Sequence, residues 1–291
     1  MPAHFPYIGE VAEVLYPQSG RPPIDGVIAM DPYVLQALMA YTGPIEVPEL
    51  GVTVEPDSAA EFILEDQYLL AGDDGNAERI DAIDTLGHQV IGSLLAGALP
   101  VPSTLARDLG PLVAEQRLLA WTSDPDGQAL FERIGIDGGL PTLGADGGFG
   151  VAVNNGGHSK IDVYLERDTT VTIEIDDSGR RTLVADVTLT NTAPASGLPR
   201  NVIGNDFELP VGTNRYLISF YGPTIPTTVT REGELAAVET LPEAGWAATT
   251  RSDDLASGAS VTYRIEYLLG QNDDDVDKPV EWTQPWARQS P

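Results

Sequence analysis

Few side chains in this sequence have a type and setting that could do chemistry. Arg79 lies near the start of a helical pattern, beside the glycine-bearing loop Asp73-Asp74-Gly75-Asn76. A guanidinium placed there can pair bidentately with a phosphate or carboxylate group, although a surface pairing with Glu78 or Asp81 competes with that role. Asn154, Asn155 and Lys160 form a second polar group. They could hold a sugar or carboxylate through charge-assisted hydrogen bonds, or only tie the chain to itself, as turn asparagines commonly do. Asp31 is the third candidate for ligand binding. It follows the apolar run Gly26–Met30 and precedes Pro32, where its carboxylate also satisfies the free amides at a helix start.

Other spacings fall short of a site. Gly156-Gly157-His158-Ser159-Lys160 has its lysine after the serine and no leading glycine, so it predicts a β-turn instead of a phosphate loop. Ser103, His88 and Asp108 contain the residue types of a hydrolytic triad, but nothing in the sequence orients them. Asp124-Pro125-Asp126-Gly127 opens like a calcium loop and lacks the later ligands, so it predicts a helix cap. Asp273 to Asp275 read as a solvated acidic loop with some capacity for a hard cation. Three separated histidines and no cysteine leave no histidine or thiolate metal spacing. No catalytic residue, cofactor or metal is therefore assigned from the residues themselves.

The charge balance narrows the partners. Acidic residues number 44 against 16 basic ones, a formal net charge of -28. Such a field repels phosphate backbones, so no nucleic-acid partner is expected. Lys160 and Lys278 are the only lysines, which leaves no polybasic stretch for anionic lipid. No window reaches the ~18 consecutive apolar residues of a membrane helix, and MPAHFPYIGE has neither the basic nor the apolar region of a signal peptide.

These residues sit on two kinds of pattern. As far as Leu143 the period is mostly helical. Phe5, Ile8, Val11 and Leu15 predict a helix with one buried face, GVIAM a short strand, and Pro32 to Tyr41 a helix ending near Gly43-Pro44. Ser58 and Glu61 have capping-box spacing before Phe62, Ile63, Tyr68 and Leu69. A longer helix is expected from Ala77 to Ala96, with Ile80, Ile83, Leu86, Val90 and Leu94 on one stripe, and Arg117 to Trp121 reads as a buried strand. Glycine gathers between Gly135 and Gly157, which marks a boundary. Beyond it the period becomes two, in Val171-Ile173-Ile175, Leu183-Val187-Leu189 and Val261-Tyr263-Ile265-Tyr267, with Asp177-Ser178-Gly179 as a hairpin turn. The expected fold is an α+β or α/β domain over residues 1–145, an all-β immunoglobulin-like sandwich over 146–270, and an irregular acidic tail over 271–291.

GVIAMDPYVLQALMAYTGPIEV, the helix at Ser58, the arginine-led helix at Arg79, and the stretches Asn154–Asp168 and Leu189–Pro199 together resemble a bacterial domain family of unknown function, number 4012. The first stretch is also similar to the LytR-CpsA-Psr family. That likeness implies an extracytoplasmic, membrane-anchored transferase of lipid-pyrophosphate-linked glycopolymers, with arginines on the pyrophosphate and acidic residues aiding Mg²⁺. By it, Arg79 matches the first arginine of an R-x-x-R-Q pattern. Ala82 and Ile83 stand where the second arginine and the glutamine would be, and the domain's earlier half, with the anchor, lies outside this chain. The resulting expectation is a non-catalytic extracytoplasmic envelope protein that binds cell-wall glycopolymer or an envelope protein. A phosphotransferase or hydrolase using Mg²⁺ and a purely structural surface protein are the alternatives.

Overall fold

The computed structural model describes residues 3–72, 75–98, 100–143, 147–269 and 279–284. Packing divides the chain into two compact units, Phe5–Gly139, and Leu140–Pro291 with Met1–His4. The boundary drawn at 145/146, the loop residues Asp73 and Asp74, and Asp273 to Asp275 lie outside the described residues.

The first unit mixes helices with short antiparallel strands. Helix α1 (Phe5–Leu15) leads to β1 (Gly26–Met30) and α2 (Pro32–Thr42), followed by the hairpin β2 (Ile45–Val47) and β3 (Val52–Val54). A short α3 (Ala59–Glu61) continues through a π-helical turn at Phe62–Asp66 into α4 (Gln67–Ala71). The long α5 (Asn76–Ser93), α6 (Pro102–Ala114), β4 (Leu118–Thr122) and α7 (Pro125–Ile134) complete the unit.

Strands β1 and β4 form an antiparallel ribbon with Gly26 opposite Thr122 and Met30 opposite Leu118. Val27, Ala29, Leu119 and Trp121 pack with Phe5 and Ile8. Met30 and Leu118 join a larger core built on Val34, Met39, Leu86 and Val90. Residues of alternate parity on one ribbon thus serve two cores, as the pleat requires.

Several local expectations change here. Val11 and Leu15 are 55% and 54% exposed, because the inner face of α1 is Phe5 and Gly9 instead. Gly9 lies against Trp121 so closely that an added Cβ would sit 2.3 Å from the indole. The capping box at Ser58 does not form, since its hydroxyl turns back toward the Glu55 carbonyl. Gln36 from α2 caps that turn, its Oε1 accepting from the Ala60 amide at 3.0 Å. On α5 the buried stripe is Ala82, Leu86 and Val90; Ile80 is 48% exposed and Ile83 half-buried.

The second unit is built from strands. Among its described residues, β5 (Gly148–Asn155), β6 (Leu165–Ile175) and β7 (Arg181–Asn191) are followed by a turn of helix α8 (Arg200–Ile203), then β8 (Asn214–Gly222) and β9 (Thr228–Arg231). Next come β10 (Glu234–Leu235), β11 (Glu239–Glu243), β12 (Trp246–Leu255), β13 (Ser260–Leu268) and β14 (Val280–Thr283). One sheet runs β10-β9-β13-β7-β6 and the other β11-β12-β8-β5-β14, with every pairing antiparallel except β14 on β5.

The two sheets share a core. Leu183, Ala185, Val187 and Leu189 of β7 and Tyr263, Ile265 and Tyr267 of β13 contribute from one, and Tyr216, Ile218 and Phe220 of β8 from the other. Each of these side chains is fully buried, and burial of a large apolar side chain stabilises by about 1.5–3 kcal/mol.

The glycine-rich stretch is not simply a linker, because residues 148–155 form strand β5 within it. Residues 280–283, expected to be irregular, pair with β5. The run from Tyr216 to Gly222 is almost wholly buried, which hides the period of two that would have marked β8. Among the described residues, no helix is long and apolar enough to cross a membrane.

Candidate functional site

The structure engages most of the residues that the sequence singles out. Asp31 is buried, and its Oδ1 accepts from the amides of Tyr33 and Val34 at 3.0 and 3.1 Å, while Oδ2 takes Nη1 of Arg117 at 2.5 Å. Arg117 is shared with Glu115 and lies over the ring of Tyr33, 4.6 Å from its centroid. Arg79 donates from Nη2 to Asn76 Oδ1 at 2.6 Å and stacks on Tyr68 at 4.7 Å, so its described contacts are not the expected ones to Glu78 or Asp81.

In the second unit, Asn155 spans a turn. Its Oδ1 accepts from the Gly157 amide at 2.6 Å and its Nδ2 donates to the Ser159 carbonyl at 2.7 Å. Lys160 is exposed, and its amide donates to the Asn201 carbonyl. Asn154 lies opposite Leu217 in the β5–β8 ladder. Asn155 thus ties its own turn through backbone groups, and the Lys160 backbone bonds Asn201. Beneath them lies Asp162, whose pKa burial raises, against hydrogen bonds from Asn214 and Asn155.

Two of the three triad types are engaged by other partners. Asp108 accepts from Tyr41 at 2.6 Å and from Arg107, whereas His88 Nδ1 pairs with the Asp84 carbonyl at 2.8 Å. Asp124 caps α7 through the Gly127 amide. Among the described residues, no group of three or more His, Asp or Glu side chains is placed to hold a metal ion.

A concave site does form in the first unit, where Asp31 is joined by residues that the sequence did not nominate as ligands. A groove of about 660 Å³ is floored by Met30, Leu35, Ile63, Ile83 and Ile91, with Asp31 at one margin and Asp84 and His88 at another. Ile83, Gly87 and Ile91 recur at four-residue steps on α5 and so lie along one line of the helix. A Cβ added at Gly87 would meet nothing within 4 Å, so the space beside this glycine is open. The spacing of Ile83 and Ile91 was visible in the sequence, but it reads equally well as the edge of a core stripe.

A second hollow of about 450 Å³ adjoins it, lined by Glu49, Asp81, Asp84, Thr85, His88 and Gln89. Asp84 and His88 border both spaces. Glu49 accepts from Thr85 Oγ1 at 2.7 Å through Oε1, and its Oε2 is buried with no hydrogen-bond partner among the described residues.

A family model described as a protein of unknown function (DUF4012) matches residues 1–68. That stretch carries α1 to the start of α4, and with it Met30, Asp31, Leu35 and Ile63 of the groove, but not α5. The likeness read from Arg79 and from the two later stretches falls beyond the matched residues. Comparison with curated proteins gives no match, nor does comparison with solved structures.

Proposed function

We propose that this chain is a non-catalytic binding protein of the bacterial cell envelope, which holds an apolar ligand group in the groove between α2, the π-helical turn and α5. The observation that carries this reading is the groove itself, whose floor is apolar and which has open space beside Gly87. The two facing sheets, read as an immunoglobulin-like platform, supply a rigid surface for cell-wall glycopolymer or an envelope protein. The extracytoplasmic setting rests on the resemblance to the LytR-CpsA-Psr family, as does descent of the first unit from a glycopolymer-transferase-like fold. Transfer of lipid-linked pyrophosphate is the less favoured activity, because it needs converging cations. Arg79 instead stacks on Tyr68, and Arg117 is paired with Asp31 and Glu115.

The reading is tested by titrating the protein with N-phenylnaphthylamine, a neutral apolar fluorophore. Saturable enhancement is expected for the wild type and its loss for Gly87→Leu, which fills the groove, with both proteins showing the same circular dichroism. Absence of enhancement, or equal enhancement in both, would remove the groove as a ligand site.

A further inference from the structure

We propose that the second unit binds one Ca²⁺ ion at the turn over residues 155–162, with the Asp162 carboxylate, the Asn214 side-chain oxygen and the Ser159 hydroxyl as its protein ligands. The site stands on its own residues and does not rest on the groove of the first unit. Asn214 is fully buried, and its Nδ2 donates to Asp162 Oδ1 at 3.2 Å, whereas its Oδ1 is buried with no hydrogen-bond partner among the described residues. Ser159 is 6% exposed, and its Oγ is likewise buried without a partner among them. Asn155 joins the two, since it donates to the Ser159 carbonyl at 2.7 Å and also bonds the Asp162 side chain. Two oxygens that have left water and found no partner therefore belong to the side chains gathered around one carboxylate.

A buried oxygen without a partner destabilises the fold, and a cation satisfies such oxygens without supplying a proton. Burial also raises the pKa of Asp162 in spite of the bonds from Asn214 and Asn155, so the carboxylate lacks a compensating charge. Lys160 favours its ionisation through the field alone, from an exposed residue where water screens the charge. Half a turn about the last side-chain bond of Asn214 exchanges the two ends of its amide and brings Oδ1 to the place that Nδ2 holds, 3.2 Å from Asp162 Oδ1. That is the spacing of neighbouring oxygens on one Ca²⁺ ion with bonds of about 2.3–2.6 Å. The three ligand groups are all oxygens and only one is charged. Ca²⁺ accepts such a set, with water in the remaining positions, whereas Mg²⁺ demands near-octahedral geometry and Zn²⁺ favours nitrogen and sulfur. A net charge of -28 also concentrates divalent cations around the protein.

The test is calorimetric titration of the chelator-stripped, dialysed protein with CaCl₂ in about 0.15 M KCl, which screens the general acidic surface. One saturable site is expected, with a Kd on the order of 10⁻⁴–10⁻³ M, and Mg²⁺ should bind at least about tenfold more weakly. Asp162→Asn should remove the saturable heat, and Ser159→Ala should raise the Kd for Ca²⁺. Thermal midpoints add a readout that a purely structural role would not move. Without metal Asp162→Asn is expected to be the more stable protein, and about 10 mM Ca²⁺ should raise the midpoint of the wild type but not that of the variant. Absence of saturable heat would overturn the site and leave ordered water as the partner of the buried oxygens. Equal heat in the wild type and Asp162→Asn would also overturn it, by placing the ions on the acidic surface. If Asp162→Asn does not fold, Ser159→Ala decides, and an unchanged Ca²⁺ affinity there removes the assignment.

Discussion

Two carboxylates of the second unit sit in surroundings that drive their titration in opposite directions. Asp253 receives Arg231 Nε at 2.7 Å, Arg251 Nε at 2.9 Å and the Tyr263 hydroxyl at 2.9 Å, all on Oδ2. Burial opposes its ionisation, but the hydrogen bonds from Arg251 and Tyr263 outweigh that and hold its pKa below the usual carboxylate value. Asp162 is governed by burial, which raises its pKa despite Asn214 and Asn155. A depressed folded pKa gives stability that is present above the unfolded value, about 3.9, and is lost as pH falls through the folded one. A raised folded pKa gives stability that is present below the unfolded value and is lost as pH rises. Asp253→Asn should therefore flatten the acid limb of the stability curve below about pH 5. Asp162→Asn should raise the unfolding midpoint near neutrality, with the gain vanishing below about pH 4. Urea midpoints taken across that range decide both, and acid limbs parallel to the wild type would contradict the assignment for Asp253. Neither direction could be read from the sequence alone, because Arg231, Tyr263 and Asn214, which lie 22, 10 and 52 residues from the carboxylates they contact, take part in setting it.

Helices α1 and α5 each carry an internal glycine, and the surroundings give the two opposite meanings. A methyl group at Gly9 would lie 2.3 Å from the indole of Trp121, a buried ring that has little room to move. At Gly87 it would meet nothing within 4 Å. Gly9→Ala is accordingly expected to destabilise by about 1–3 kcal/mol through overpacking. Gly87→Ala should stabilise by about 0.5–1 kcal/mol, the cost of glycine inside a helix. Chemical denaturation of the two variants checks the pair, and a loss of stability at Gly87 would mean that the groove is closed in solution. The helix α2 was legible because its start and stop are local, with Asp31 before Pro32 and Gly43 at the end. The capping of α3 was not, because the Ala60 amide is satisfied by Gln36, 24 residues earlier in the chain.

At the scale of the whole molecule, a net charge of -28 places many carboxylates within a few screening lengths of one another. Self-repulsion of this kind disfavours the compact state, and it is screened over about 10 Å at 0.1 M salt. Thermal midpoints are therefore expected to rise by several degrees between about 0.01 and 0.5 M salt, with sodium and potassium chloride equivalent. A midpoint that is flat or falls with salt would show that the arginine–carboxylate pairs, such as Arg215 on Asp254 at 2.7 Å, outweigh the general repulsion. The sequence by itself determined the charge, the switch from a helical period to a period of two, and most helix starts, because each is written in a window of a few residues. The tertiary structure alone decided that Asp31 faces Arg117. It also decided that Met30, Ile63 and Ile91 share one groove. Those relations join residues far apart in the chain, and no local pattern encodes which side chains a fold will bury together.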